Sequence, residues 1–125
     1  MCNYESHDKM VRKLMKLATR YPNLARVDTV GDSVEGRPLV YIKISGNVTR
    51  RSHLEPMFKY VANMHGDEVV GRQMVIYLAH YLLQNYRRDR RVKQLVDNTE
   101  IYLMPSMNPD GYTASKPGCN TFGGN

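Results

Sequence analysis

Met57-Phe58-Lys59-Tyr60-Val61-Ala62-Asn63-Met64-His65-Gly66-Asp67-Glu68 runs from an apolar stretch directly into a histidine, a glycine and two acids. The stretch from Met57 to Met64 is mostly apolar, which predicts a central strand buried on both faces. A helical pattern starts near Glu68 and continues through Val69, Met74, Ile76, Tyr77, Ala79, Leu82 and Leu83 to Tyr86. The polar bridge between strand and helix is short, so His65 and Glu68 lie at the mouth of the helix.

Working outward, the same grammar recurs on both sides. Asp89 is placed to cap a shorter helix containing Val92, Leu95 and Val96, and residues 99–104 read as a second buried strand. Pro105-Ser106-Met107-Asn108-Pro109-Asp110-Gly111 follows as a loop. Upstream, Ser6 or Asp8 is placed to cap a helix reaching about Arg20, with Met10, Leu14, Leu17 and Ala18 on one face. Residues 25–30 and 39–44 then read as an antiparallel hairpin around Val34-Glu35-Gly36-Arg37-Pro38. Between the hairpin and Met57 the chain is polar and basic, as a surface loop is. A hairpin followed by a strand-helix-strand unit predicts an α/β fold, a mixed β-sheet covered by helices on its faces. In such sheets, ligands collect beyond the carboxyl ends of the strands, where His65 and Glu68 sit.

The 125 residues allow at most one domain with a modest core. A net charge of +6 and the cluster Arg87-Arg88-Asp89-Arg90-Arg91 raise a nucleic-acid reading. That cluster falls at a helix junction, where solvated arginines are usual, and no phosphate loop, zinc finger or base-stacking motif accompanies it. No nucleic-acid partner is expected. Cys2 and Cys119 are too few for a disulfide framework and leave the redox compartment open. Asn47-Val48-Thr49 is a sequon that would accept glycan in a secreted chain. No signal peptide and no transmembrane run is visible, and the polar opening implies that any secretion signal is removed or lies outside this sequence.

His65 and Glu68 are both good zinc ligands, and three positions at a helix mouth let both reach one ion. By themselves they read as a surface histidine and a first-turn glutamate favoured by the helix dipole. Asp67 reads as support for the loop or helix start. Asn108-Pro109-Asp110-Gly111 reads as turn chemistry with a structural role. His7, His53 and His80 read as solvated or packing residues.

The surroundings change the reading of the pair. Tyr60-Val61-Ala62-Asn63-Met64-His65-Gly66-Asp67-Glu68, then Met104-Pro105-Ser106-Met107-Asn108-Pro109-Asp110-Gly111-Tyr112, resembles the zinc metallocarboxypeptidases. The likeness is to the regulatory branch that includes carboxypeptidases D, E, M and N. Gly31-Asp32-Ser33-Val34-Glu35-Gly36-Arg37-Pro38-Leu39 is similar to that family's turn before its second strand. The resemblance implies the N-terminal part of an α/β/α catalytic domain, spanning residues 1–125. It also implies a Zn2+ enzyme that removes C-terminal residues, in this branch typically Lys or Arg, from peptide or protein C-termini. His65 would be its first zinc ligand and Glu68 its second, with no residue here assigned to catalysis itself.

The family's third ligand, its substrate-clamp arginines and its general-base glutamate all lie further along than Asn125. The 125 residues alone are therefore expected to be inactive, and uncovered apolar strands are expected to make them prone to association. The alternative is a truncated, non-catalytic peptide-binding or interaction module on the same scaffold. The resemblance further implies the secretory pathway or an extracellular location, with membrane association of a parent protein possible in this branch.

Overall fold

A computed structural model describes residues 4–50 and 53–115; Cys2 and Cys119 lie outside them. Ser6 caps α1 (His7–Arg20), its hydroxyl accepting from the Lys9 amide. Met10, Leu14 and Leu17 follow at helical spacing and are buried. Tyr21 ends the helix, its N–H shared between the carbonyls of Leu17 and Ala18.

The chain then forms β1 (Ala25–Asp32) and β2 (Pro38–Ile44), antiparallel from Ala25↔Ile44 to Thr29↔Val40. Gly36 in the intervening turn has φ of 75°, a conformation that side-chain-bearing residues rarely adopt. Next come β3 (Met57–Val61), α2 (Val69–Asn85), α3 (Arg90–Asp97) and β4 (Glu100–Met104). Asp89 caps α3 as the sequence predicts, accepting from the Arg91 and Val92 amides.

The four strands form one mixed sheet in the order β1-β2-β4-β3. β2 pairs antiparallel with β4, while β3 runs parallel to β4 from Met57↔Glu100 to Val61↔Met104. Parallel strands require a crossover, and α2 with α3 supplies it. Ile42, Ile44, Ile101 and Leu103 project from one face of the sheet into a cluster with Met10, Leu14, Leu17, Val75, Ile76, Ala79, Leu83, Val92 and Val96. Each such Ile, Leu, Val or Met side chain contributes about 1.5–3 kcal/mol by leaving water, so this face holds the sheet to its helices. At the start of β4, the fully buried Glu100 accepts from Lys43 Nζ at 2.9 Å and from the Tyr102 hydroxyl at 3.1 Å. That cross-strand tie reinforces the β2–β4 register.

Two details differ from the sequence reading. β3 stops at Val61 rather than Met64, and among the described residues it is an edge strand, exposed along its whole length. Its apolar composition registers a demand for burial that β4 alone does not meet. Second, the stretch read as a plain loop includes a short helix, α4 (Pro109–Ala114). Pro109 suits a helix start because its missing N–H would be unpaired there, and the Asn108 side chain caps the Gly111 amide. The mixed sheet with its helices is the α/β arrangement that the sequence predicts, and α1, α2 and α3 pack on the core face. On the other face Val30, Tyr41, Met57, Val61, Tyr102 and Met104 line an open apolar recess.

With Phe58 half exposed on β3 and an open recess behind it, the isolated chain is expected to self-associate at micromolar concentration. Sedimentation velocity should show concentration-dependent oligomers that Phe58→Lys reduces; a single monomeric species throughout would contradict this.

Candidate metal centre

Because β3 and β4 are parallel and in register at their ends, the segments leaving them emerge side by side. Ala62 continues the ladder by donating to the Met104 carbonyl at 3.0 Å, and its own carbonyl accepts from the Met107 amide at 3.0 Å. Asn108 N–H then donates to the Asn63 carbonyl at 3.1 Å. The segment after β3 is thus stitched to the segment after β4.

Asn63 turns the chain out of the strand with φ of 57°, in the left-handed region. His65 and Glu68 follow on the outside of the resulting arc. Glu68 is the N-terminal flanking residue of α2 and makes no side-chain cap, which leaves its carboxylate free to face the imidazole. His65 Nδ1 and Glu68 Oε1 stand 3.2 Å apart, with side chains 52% and 64% exposed. Two ligand atoms each 2.0–2.2 Å from one tetrahedral zinc lie about 3.4 Å from each other. The observed spacing therefore fits two donors to a single ion. Without metal the pair is an exposed hydrogen bond that contributes little to stability.

Gly66 explains how the arc can sit so low. A Cβ built there would lie 2.0 Å from the Gly111 carbonyl carbon, 2.3 Å from its oxygen and 2.4 Å from the Tyr112 nitrogen. These are backbone atoms, which cannot rotate aside. Only glycine lets this loop rest directly on α4. The Ser115 hydroxyl adds a hydrogen bond to the Gly66 carbonyl at 3.3 Å.

α4 is in turn fixed from two directions. Asp110 accepts from the Ser33 hydroxyl at 2.7 Å, the Arg37 guanidinium at 2.6 Å and the Glu35 amide at 3.1 Å. Partial burial raises the Asp110 pKa, but these donors outweigh it and hold the carboxyl below its ordinary value. On the other side Arg72, almost wholly buried in α2, stacks its guanidinium 4.0 Å from the Tyr112 ring centroid. Its Nη2 donates to the Ser6 carbonyl at 3.3 Å, and the Tyr112 hydroxyl donates to the Glu5 carbonyl at 2.7 Å. Burial lowers the Arg72 pKa and raises that of Tyr112. A desolvated cation–π contact of this kind contributes about 2 kcal/mol, enough to lock α4 against α2.

The remaining candidates fall elsewhere. Asp67 is exposed on the approach to α2. His7 is buried at the start of α1, where Nε2 donates to the Pro38 carbonyl at 2.9 Å and burial lowers its pKa. His53 is exposed in a turn, and the half-buried His80 of α2 has its pKa lowered by burial. Among the described residues no group of three His, Cys, Asp or Glu side chains converges to hold a metal. Asn63, Ser106 and Gly66 were not singled out as functional by sequence reasoning. The signal for Asn63 was an amide-bearing residue placed where a strand must turn sharply.

A sequence model of the zinc carboxypeptidases matches residues 10–121, and the chain belongs to that family. It is 48% identical to carboxypeptidase D of Drosophila melanogaster over 116 residues, covering 93% of this chain and 8% of that protein. It is 42% identical to carboxypeptidase M of Mus musculus over 118 residues, covering 93% of this chain and 26% of that one. The chain thus spans less than a third of the length of these curated relatives. The crystal structure of thrombin activatable fibrinolysis inhibitor superposes with a TM-score of 0.79 over 88% of this chain and 27% of that one. At 21% identity that likeness establishes the fold alone.

Gly66→Ala should lower the urea midpoint by the equivalent of about 1–3 kcal/mol, since the methyl group would have to displace the backbone of α4. Equilibrium unfolding measures this directly; an unchanged midpoint would show that Gly66 and Gly111 are not in contact.

Proposed function

We propose that His65 and Glu68 are two of the protein ligands of a catalytic zinc in a metallocarboxypeptidase. Its reaction is removal of C-terminal residues, Lys or Arg by likeness to the regulatory branch, from peptides or proteins. The observation behind this reading is the 3.2 Å approach of an imidazole nitrogen to a carboxylate oxygen, beyond the carboxyl ends of two parallel strands. Family membership gives that geometry its meaning.

The donor set suits the metal. One nitrogen and one oxygen are both zinc-type ligands, and the exposure of both side chains leaves the coordination sphere open to a third donor and to substrate. Bound zinc supplies Lewis acidity, which lowers the pKa of water and polarises a carbonyl. The chain's own residues supply a pre-shaped ledge: the His65 ring and the Glu68 carboxylate already face each other, and α4 supports the loop from beneath. Among the described residues no group of three His, Cys, Asp or Glu side chains converges on the pair, so the proposed site takes its third ligand from elsewhere.

The reading extends to location. Asn47 of the sequon is exposed, its amide oxygen accepting from the Thr49 hydroxyl at 2.7 Å, which suits a chain in the secretory pathway or outside the cell. Among the described residues no helix is long and apolar enough to cross a membrane.

The test is zinc binding by competition against a chromophoric chelator, alongside release of C-terminal Lys or Arg from a model peptide. The 125-residue chain is expected to bind zinc weakly and to release nothing. His65→Ala and Glu68→Ala should each weaken binding at least about tenfold. Zinc affinity that ignores both substitutions would overturn the ligand assignment.

A further inference from the structure

Asn63 is buried and left-handed two residues before the first proposed ligand. If the turn needed only that backbone conformation, glycine would adopt it without strain. The side chain supplies the reason for asparagine. Its Nδ2 donates to the carbonyls of His65 at 2.9 Å, Gly66 at 3.2 Å and Glu68 at 3.3 Å. Its Oδ1 accepts from the Ser106 hydroxyl at 2.8 Å.

These partners fix the orientation of the amide. Reversed, it would set its oxygen against three carbonyl oxygens, so the nitrogen must face the loop. One amide group gathers the carbonyls of both proposed ligand residues, and of the glycine between them, around a single buried point. With the carbonyls turned inward, the His65 and Glu68 side chains are left together on the outside. Asn63 reaches them only through the backbone.

We propose that Asn63 is a positioning residue of the metal centre, clamping both ligand residues by their carbonyls, and that Ser106 sets the clamp by orienting its amide. This rests on the reading of His65 and Glu68 as zinc ligands. Both ligand side chains are more than half exposed, so little packing holds them. The order that lets them meet comes from beneath, and it exists before any metal binds. A pre-ordered loop loses less conformational freedom on binding, which is how a clamp of this kind raises affinity without touching the ion.

Two substitutions separate the clamp from its backbone setting. Asn63→Gly keeps the left-handed turn and deletes the amide, whereas Ser106→Ala keeps Asn63 and removes its orienting partner. Zinc affinity of the 125-residue chain is measured by chelator competition, together with amide hydrogen exchange of the metal-free chain. Asn63→Gly should weaken zinc binding about 10- to 100-fold, and Ser106→Ala should weaken it less in the same direction. In both, the amides of Gly66, Asp67 and Glu68 should exchange faster while those of α1, β1 and β2 keep their protection. Zinc affinity of Asn63→Gly within about twofold of the unsubstituted chain would overturn the proposal. So would loss of protection across α1 and β2 as well, which marks a general folding role. His65→Ala is run in parallel. Zinc binding indifferent to it would overturn the ligand reading, and with it the role given to Asn63, even where exchange shows the clamp holding the loop.

Discussion

The parallel pairing of β3 with β4, in register from Met57↔Glu100 to Val61↔Met104, is the constraint on which the site depends. It ends both strands at one edge, so the loop bearing His65 and Glu68 and the loop leading into α4 must share the space beyond. Backbone hydrogen bonds from Met107 and Asn108 to Ala62 and Asn63 convert that proximity into a fixed relation. Gly66 then lets one loop lie against the other with no side chain between them. Once these contacts form, the imidazole and carboxylate have little choice of position, although neither is packed.

Rigidity is distributed unevenly in consequence. The ledge under the proposed ligands is bonded throughout: Asn63 and Ser106 bond each other, Arg72 stacks on Tyr112, and Asp110 is held by Ser33, Arg37 and the Glu35 amide. The His65 and Glu68 side chains themselves remain exposed. The proposed metal centre would need this division to admit substrate, because its donors could not be shielded by packing and would have to be aimed from below. Asp110, which invites a catalytic reading from its place near a strand end, instead ties the β1–β2 turn to α4. Burial works against its charge, but the bonds from Ser33, Arg37 and the Glu35 amide, all in that turn, keep its pKa lowered.

Much of this was legible in the sequence because local chemistry and tertiary position agree. Ser6 and Asp89 cap the helices their spacing assigns them, and alternating residues of β2 send Val40, Ile42 and Ile44 into the core. That His65 and Glu68 face each other was legible because their spacing at a helix mouth brings the two side chains together. Burial of β3 was not, since composition reports how apolar a strand is and not how many neighbours it has. The clamp by Asn63 was hidden for a related reason. Its partners include Ser106, which is distant in sequence, and carbonyls, which every residue carries. α4 was masked by its own cap, since Asn-Pro-Asp-Gly spells a turn as readily as a helix start.

The most direct test of the account is a crystal structure of the chain soaked in zinc, with anomalous scattering recorded on both sides of the zinc edge. A single anomalous peak about 2.0–2.2 Å from both His65 Nδ1 and Glu68 Oε1, above an Asn63 amide still facing the three carbonyls, is the predicted result. Zinc bound elsewhere, or His65 and Glu68 pointing to separate places with the ion held by neither, would contradict it.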